Sequence, residues 1–373
     1  SSKLIKENRT QYFPSASVGW TVSNENFWNI NAVNFLKLRM GWGKNGNIGS
    51  LAPFEYASLI QTSAAASYYT GQGTLVGAEP VALSNPDLIW ETVVQTNIGL
   101  DARFFNDALS LTTDLYWKET TDLITTAAIP QYVGNNIPNA NEGDVMNRGV
   151  EIEVGYKGNV WGVEYDISAM AAYNQNEVTS LENPLIGANL GTTGHITQAQ
   201  EGKPIWYMYG YEADGVFDSF DEIEAYTDGE GNIIQPQAIP GDVKFRDLNG
   251  DGEINEEDKT MIGNPYPDWS LGLNVNLNYR GFDLKVFLQS ALGHDIYYGA
   301  YRTDLTNNNK PTFLYENAWT PENHTDEFPR YTINDNNNNY SHNSLFVFDG
   351  SYMRLQNLEL GYSFKAAILE KLH

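Results

Sequence analysis

The sequence contains no cysteine. That excludes disulfide scaffolds, thiol catalysis and cysteine-based zinc sites. Positive charge is scarce: 22 Lys and Arg stand against 47 Asp and Glu, a formal net charge of −25. Such a chain has no basic face to displace counterions from a phosphate backbone, so nucleic acid is not an expected partner. No run of 18 or more apolar residues occurs, so no transmembrane helix is expected. The opening Ser1-Ser2-Lys3 has no apolar core and no signal peptide is visible, so the chain reads as cytoplasmic or as a mature or cut piece. Helical periodicity is scarce as well.

Alternation with a period of two takes its place. From Trp269 the apolar set Trp269, Leu271, Leu273, Val275, Leu277 and Tyr279 alternates with Ser270, Gly272, Asn274, Asn276 and Asn278. Val94 to Phe104 and Leu109 to Trp117 behave alike, as do shorter runs near 36–42, 150–156, 282–288 and 358–364. Successive strand side chains point to opposite faces, so each run has one apolar and one polar face. The 13% of aromatic residues argues against disorder, because such a chain has surface to bury.

Two architectures produce this pattern. In a soluble antiparallel sandwich the apolar face is inside; in an outer-membrane barrel it meets lipid and the polar face lines the lumen. Three features favour the barrel. The polar face is rich in Asn, Gln, Ser and Gly and poor in Lys. Aromatics such as Trp42, Trp117, Trp269, Tyr279, Tyr156 and Tyr362 end the apolar stripes, as at lipid interfaces. Tight turns at 105–107, 157–161 and 280–281 alternate with long polar connections at about 45–90, 124–147, 182–267 and 293–351.

The expected fold is therefore all-β: an antiparallel transmembrane β-barrel segment with short periplasmic turns and long extracellular loops. Nine spanning strands are expected at about 11–23, 34–44, 91–105, 108–123, 148–158, 162–180, 268–280, 281–292 and 352–364. The strand-like stretch 205–217 is assigned to a loop, since spanning there would put the turn at 280–281 on the wrong side. Nine strands with unpaired edges cannot sit in lipid alone. The chain is expected to be part of a larger barrel, with the tail 365–373 as a periplasmic turn.

One local motif carries metal chemistry. Asp247, Asn249, Asp251 and Gly252 match the calcium-loop pattern D-x-[DN]-x-[DN]-G. Glu253 would offer its backbone carbonyl, Asn255 could act through water, and Asp258 stands where the standard loop has a bidentate Glu. The expected cofactor is a structural Ca²⁺ held by Asp247, Asn249, Asp251, Glu253 and Asp258 within 247–258. No catalytic cluster is found. The five His, at 195, 294, 324, 342 and 373, lack ligand spacing, and no nucleophile elbow or phosphate loop occurs. The long connections also carry Tyr68, Tyr69, Trp206, Tyr207, Tyr209, Tyr211, Tyr297, Tyr298, Tyr301, Tyr315 and Trp319. Such rings among amides suit sugar or peptide ligands and suit a protein interface equally. The Asn-rich run 334–339 reads as a flexible tip.

Several blocks, in order along nearly the whole chain, resemble the SusC/RagA family: FPSASVGW at 13–20, LKLRMGWG at 36–43, NPDLIWE at 85–91 and NRGVEIE at 147–153. GDVKFRD at 241–247, GNPYPD at 263–268 and DGSYMRLQNLEL at 349–360 continue the match. The resemblance implies a TonB-dependent transporter of the Bacteroidota outer membrane, with a 22-stranded barrel around a plug. It implies a SusD-like surface lipoprotein as a lid, TonB acting through the plug, and import of glycans or peptides. The whole chain, 1–373, is then barrel, with 182–267 a long extracellular insertion; the plug, early strands and final strands are expected to lie outside it. The other partners implied are the rest of the same barrel, outer-membrane lipid and the oligosaccharide or peptide substrate. The expected location is the outer membrane, and no enzyme activity is expected. The alternatives are a soluble calcium-stabilised β protein binding glycans or surfaces, and, more remotely, a carbohydrate-active enzyme.

Overall fold

The computed structural model describes residues 2–58, 60–80, 83–126, 138–187, 194–299 and 311–364; Tyr301 and the tail 365–373 lie outside them. Nine strands form one antiparallel sheet: β1 (Ser15–Thr21), β2 (Val33–Asn47), β3 (Glu91–Phe104), β4 (Leu109–Thr121), β5 (Asp144–Val160), β6 (Val163–Ser180), β7 (Trp269–Tyr279), β8 (Phe282–Leu292) and β9 (Tyr352–Tyr362). Their order in space is their order in sequence. All nine expected strands are present, within a few residues of their expected ends. β1 and β9 each pair on one side only, so this wall is an open sheet.

The tight turns follow from residue chemistry. Arg280 and Gly281 have φ of 50° and 91°, the mirror-image geometry that matches strand twist. β5 runs further than expected at both ends, and its pairing with β6 continues to Val160 and Val163. The turn there is Trp161-Gly162, both with positive φ, rather than 157–161.

Register carries the alternation across the wall in continuous rows. Leu36 stands beside Ala102, then Leu111, Val154, Ala169 and Leu273, and the row ends at Leu288 and Leu355. One residue along, on the opposite face, the row reads Lys37, Asp101, Thr112, Glu153, Met170 and Gly272, then Gln289 and Arg354. A slip of one residue in any strand would break every row, so the pattern itself fixes the pairing.

No second layer covers the apolar rows among the described residues. Met40 is 49% exposed, Ile98 44% and Ile152 41%, although they lie mid-strand on the apolar face. The four buried clusters, around Leu4, Phe217, Val145 and Leu314, draw instead on the long connections and the strand ends beside them. A sandwich would bury these stripes, so the sandwich reading fails here. Aromatic pairs bound the apolar band: Tyr173 and Trp269 (5.1 Å) at the long-connection end, Phe282 and Tyr362 (4.5 Å) at the tight-turn end. Trp269 and Tyr279 bound β7, about ten residues or ~33 Å along the strand. A strand tilt of roughly 35–45° projects that to about 25 Å, the height of a lipid-facing band. No helix is long and apolar enough to cross a membrane among the described residues, which says nothing about strands.

The inward face carries its own charge pairing. The Arg39 guanidinium donates to both oxygens of Asp101 (2.8 and 3.0 Å) and both of Asp114 (3.0 and 2.9 Å). Gly99 lies beneath this crossing. A Cβ there would stand 2.5 Å from the Asp114 carboxylate and 2.6 Å from Arg39 Cζ, so a larger residue would push these side-chain ends out of their present geometry.

The orientation gives a direct expectation. Leu273→Arg, on the outward row, should destabilise the complete receptor in lipid by ~2–4 kcal/mol, and Asn274→Arg on the inward row by far less. Chemical unfolding in vesicles measures both; equal costs would contradict the assignment of faces.

Candidate functional site

The long connections build a folded body at one end of the wall. Within 182–267 and beside it, Leu185–Ile186, Thr197–Ala199, Tyr207–Tyr211 and Lys259–Gly263 form a small antiparallel sheet. The stretch expected to be a loop strand at 205–217 is two short strands, Tyr207–Tyr211 and Ala213–Val216, neither in the wall. Val243–Phe245 pairs with the second of these, and Asp295–Tyr297 pairs with Val347–Asp349. Val145 and Val178 at the ends of β5 and β6 pack with Leu185 and Ala199, which fastens the body to the wall.

Polar side chains form much of its interior. Asp242, 1% exposed, accepts from Arg330 Nε at 2.7 Å and Asn339 Nδ2 at 2.8 Å. Asn339 is fully buried and accepts from Val243 N at 2.7 Å. Asn337 and Gln235 donate to Val243 O at 2.9 and 3.0 Å, and Gln235 accepts from Phe245 N at 2.9 Å. The free edge of Val243–Phe245 is thus paired by side-chain amides in place of a strand. Buried polar groups that are fully paired in this way fix a unique arrangement. The run 334–339 is therefore not a flexible tip: Asn337 and Asn339 are core residues. Composition hides this, because an amide that completes a ladder reads in sequence like one that faces water.

The loop 247–258 folds on its own side chains. Asp247 accepts from Gly250 N (2.6 Å) and Gly252 N (2.8 Å), both glycines at positive φ. Asp251 accepts from Glu253 N at 2.9 Å and from Asn249 Nδ2 at 2.8 Å, and these two contacts hold its carboxyl below the usual range. Asp258 is fully buried inside the loop and accepts from Leu248 N and Asn255 N, both at 2.8 Å. Asn255 caps the short helix Glu256–Asp258. Glu253 and Asn249 are exposed. No three His, Asp or Glu side chains converge in a metal-holding group among the described residues. The donors present are all hard oxygens, and the Asn249 amide and the Glu253 carbonyl add to the acids, which fits Ca²⁺ in chemistry.

The loop aromatics divide. Tyr207 is 1% exposed and Trp319 8%, so both are core rather than ligand platforms. Burial pushes the Tyr207 and Tyr211 hydroxyls up to about 12, which keeps them protonated at neutral pH. Tyr68, Tyr69 and Tyr315 are exposed. A feature that sequence reading missed lies on the inward face of the wall. Small residues Ala172, Ser270 and Gly272 leave a hollow of about 430 Å³ beside Glu151, Glu153 and Asp114. Its signal was the run of small residues on the polar face of adjacent strands, invisible before the register is known.

An open wall with an uncovered apolar band, a polar inner face and folded long loops defines a transmembrane β-barrel segment. Residues 2–369 match the family described as TonB dependent receptor-like, beta-barrel. The chain belongs to that family. TonB-dependent receptor P3 of Formosa agariphila is 31% identical over 382 residues, covering 100% of this chain and 36% of that protein. TonB-dependent receptor SusC of Bacteroides thetaiotaomicron is 30% identical over 379 residues, covering 98% of this chain and 35% of that protein. The RagAB peptide transporter superposes with a TM-score of 0.74 at 23% identity, over 98% of this chain and 38% of that one. The chain thus spans little more than a third of the relatives it matches.

The amide-filled interior yields a prediction. Asn339→Leu leaves the Val243 N–H and one Asp242 contact unpaired, at ~1–3 kcal/mol for each orphaned group. Hydrogen exchange at Val243 should accelerate strongly, while Asn336→Ala, at an exposed position, should leave it unchanged. Equal protection in both variants would contradict the network's role.

Proposed function

We propose that this chain is part of the barrel wall and extracellular face of an outer-membrane importer for oligosaccharides or peptides. The observation that carries the reading is a polar inner face under a folded loop body, in a chain of the TonB-dependent receptor family. The long connections are extracellular on this reading and the tight turns periplasmic. The rest of the same barrel pairs with the free edges of β1 and β9, since unpaired edges are not tolerated in lipid. A SusD-like lipoprotein closes over the loops, and TonB supplies energy through a plug. RagAB, solved as a peptide importer in open and closed states, supports a lid of this kind. Import asks for no bond chemistry from the chain's own residues.

Purification of the complete receptor from outer membranes in mild detergent tests this. Retention of a surface lipoprotein, and TonB-dependent uptake of oligosaccharides or peptides by the cells, are the expected results. Recovery as a free soluble protein would sink the proposal.

The loop 247–258 has a structural part in the same reading. Asp247, Asn249, Asp251, the Glu253 carbonyl and Asp258 would hold Ca²⁺, which neutralises a local excess of acid. Calcium titration should show binding in the ~10⁻⁴–10⁻³ M range of extracellular modules. Asp251→Ala should abolish the binding and the accompanying gain in loop protection. A calcium-independent loop would refute the assignment.

A further inference from the structure

The connections 182–267 and 293–351 are far apart in sequence and cross at several points, one of which is a single buried histidine. His342 is 8% exposed. Its Nδ1 lies 3.0 Å from the Tyr297 hydroxyl and its Nε2 lies 3.4 Å from the Gly194 carbonyl oxygen. Its own carbonyl accepts from Tyr211 N at 2.9 Å, and the neighbouring Ser344 hydroxyl accepts from Ala213 N at 2.9 Å. Gly210 lets this backbone approach: a Cβ there would stand 2.3 Å from the His342 oxygen.

The partners dictate the tautomer. A carbonyl only accepts, so Nε2 carries the proton and Nδ1 takes the hydrogen of the Tyr297 hydroxyl. The neutral ring is therefore fully paired. The imidazolium is not: its Nδ1–H would have to donate to the Tyr297 oxygen, and the hydroxyl hydrogen would lose the one acceptor it has among the described residues. Among the described residues the groups around the ring offer no compensating charge. They are Tyr297 and Tyr211, whose hydroxyls burial keeps protonated, and the cation-forming Lys259 and His195. The nearby acid Glu256 is already bonded to Lys259 Nζ at 2.7 and 2.8 Å.

We propose that His342 is an acid-operated latch at this crossing, closed on Gly194 when neutral and opened when protonated, while the Asp242–Arg330–Asn339 network keeps the rest of the loop body joined. Burial pushes its imidazole below the ordinary value, and Lys259 and His195 act in the same direction against the Gly194 carbonyl. A group depressed in the folded state contributes stability that is complete above the unfolded imidazole value of ~6.5 and is lost as pH falls through the folded value. The latch holds at neutral pH and opens in acid. The inference concerns the loop body itself and does not depend on what the barrel carries.

Hydrogen exchange of the complete receptor across pH 7.5 to 4.5, corrected for intrinsic rates, tests the latch. In the wild type, protection at 194–211 and 338–346 should fall with a slope approaching about tenfold per pH unit, the mark of one-proton linkage. His342→Gln offers a donor and an acceptor at similar reach and cannot titrate, so its protection should not respond to acid. An identical acid response in the Gln variant, or none in the wild type, overturns the proposal. Should the Gln variant lack protection already at pH 7.5, Tyr297→Phe decides. It removes the bond to neutral Nδ1, so the opening must move to higher pH, and an unmoved midpoint overturns the latch.

Discussion

The wall of this chain, on which the loops stand, answers to one constraint: in hydrocarbon, each backbone N–H and C=O must be paired within the protein. Strands meet it only by pairing edge to edge, and pairing in register converts alternation along each strand into rows across the wall. The row from Leu36 to Leu355 is apolar because it faces lipid. The next row, from Lys37 to Arg354, is polar because it does not. The Arg39 pairing with Asp101 and Asp114 belongs to the second set and would be very costly in the first. Gly99 lies under the same crossing, where the ends of the Arg39 and Asp114 side chains fill the space a Cβ would take.

Beyond the lipid, the loops obey a different rule. Water satisfies exposed backbone there, so regular sheets shrink to strands of a few residues and side chains complete the pairing. Gln235, Asn337 and Asn339 act as a missing strand beside Val243–Phe245. Asp247, Asp251 and Asp258 hold the backbone of their own loop. The same residue types that form soft surface loops elsewhere form the interior of this body. His342 extends the principle, because its ring bond to the Gly194 carbonyl adds to a single backbone bridge between the two loops.

The wall was legible in the sequence because its signal is local and redundant. Most of the strands carry four to six alternating apolar residues, and tight turns such as Arg280-Gly281 fix where strands end. The motif 247–258 reads in sequence as a calcium loop; the structure shows its turns at Gly250 and Gly252, and its metal is a proposal. The loop body was not legible. Trp319 and Tyr207 looked like ligand platforms and are core; Asn339 looked like a mobile tip and is fully buried. Their partners lie far away in sequence, as Asp242 does from Asn339 across 97 positions. The hollow beside Glu151 needs five strands, β4 to β8, in register before it exists at all.

The central claim is that one face of the nine-stranded wall meets lipid. Single-residue labelling along β7 in the complete receptor, reconstituted in bilayers with a lipid-borne quencher, tests it most directly. Labels at 271, 273, 275 and 277 should be quenched from the lipid, and labels at 272, 274 and 276 should not. Quenching that fails to alternate, or that alternates in the opposite sense, would contradict the account.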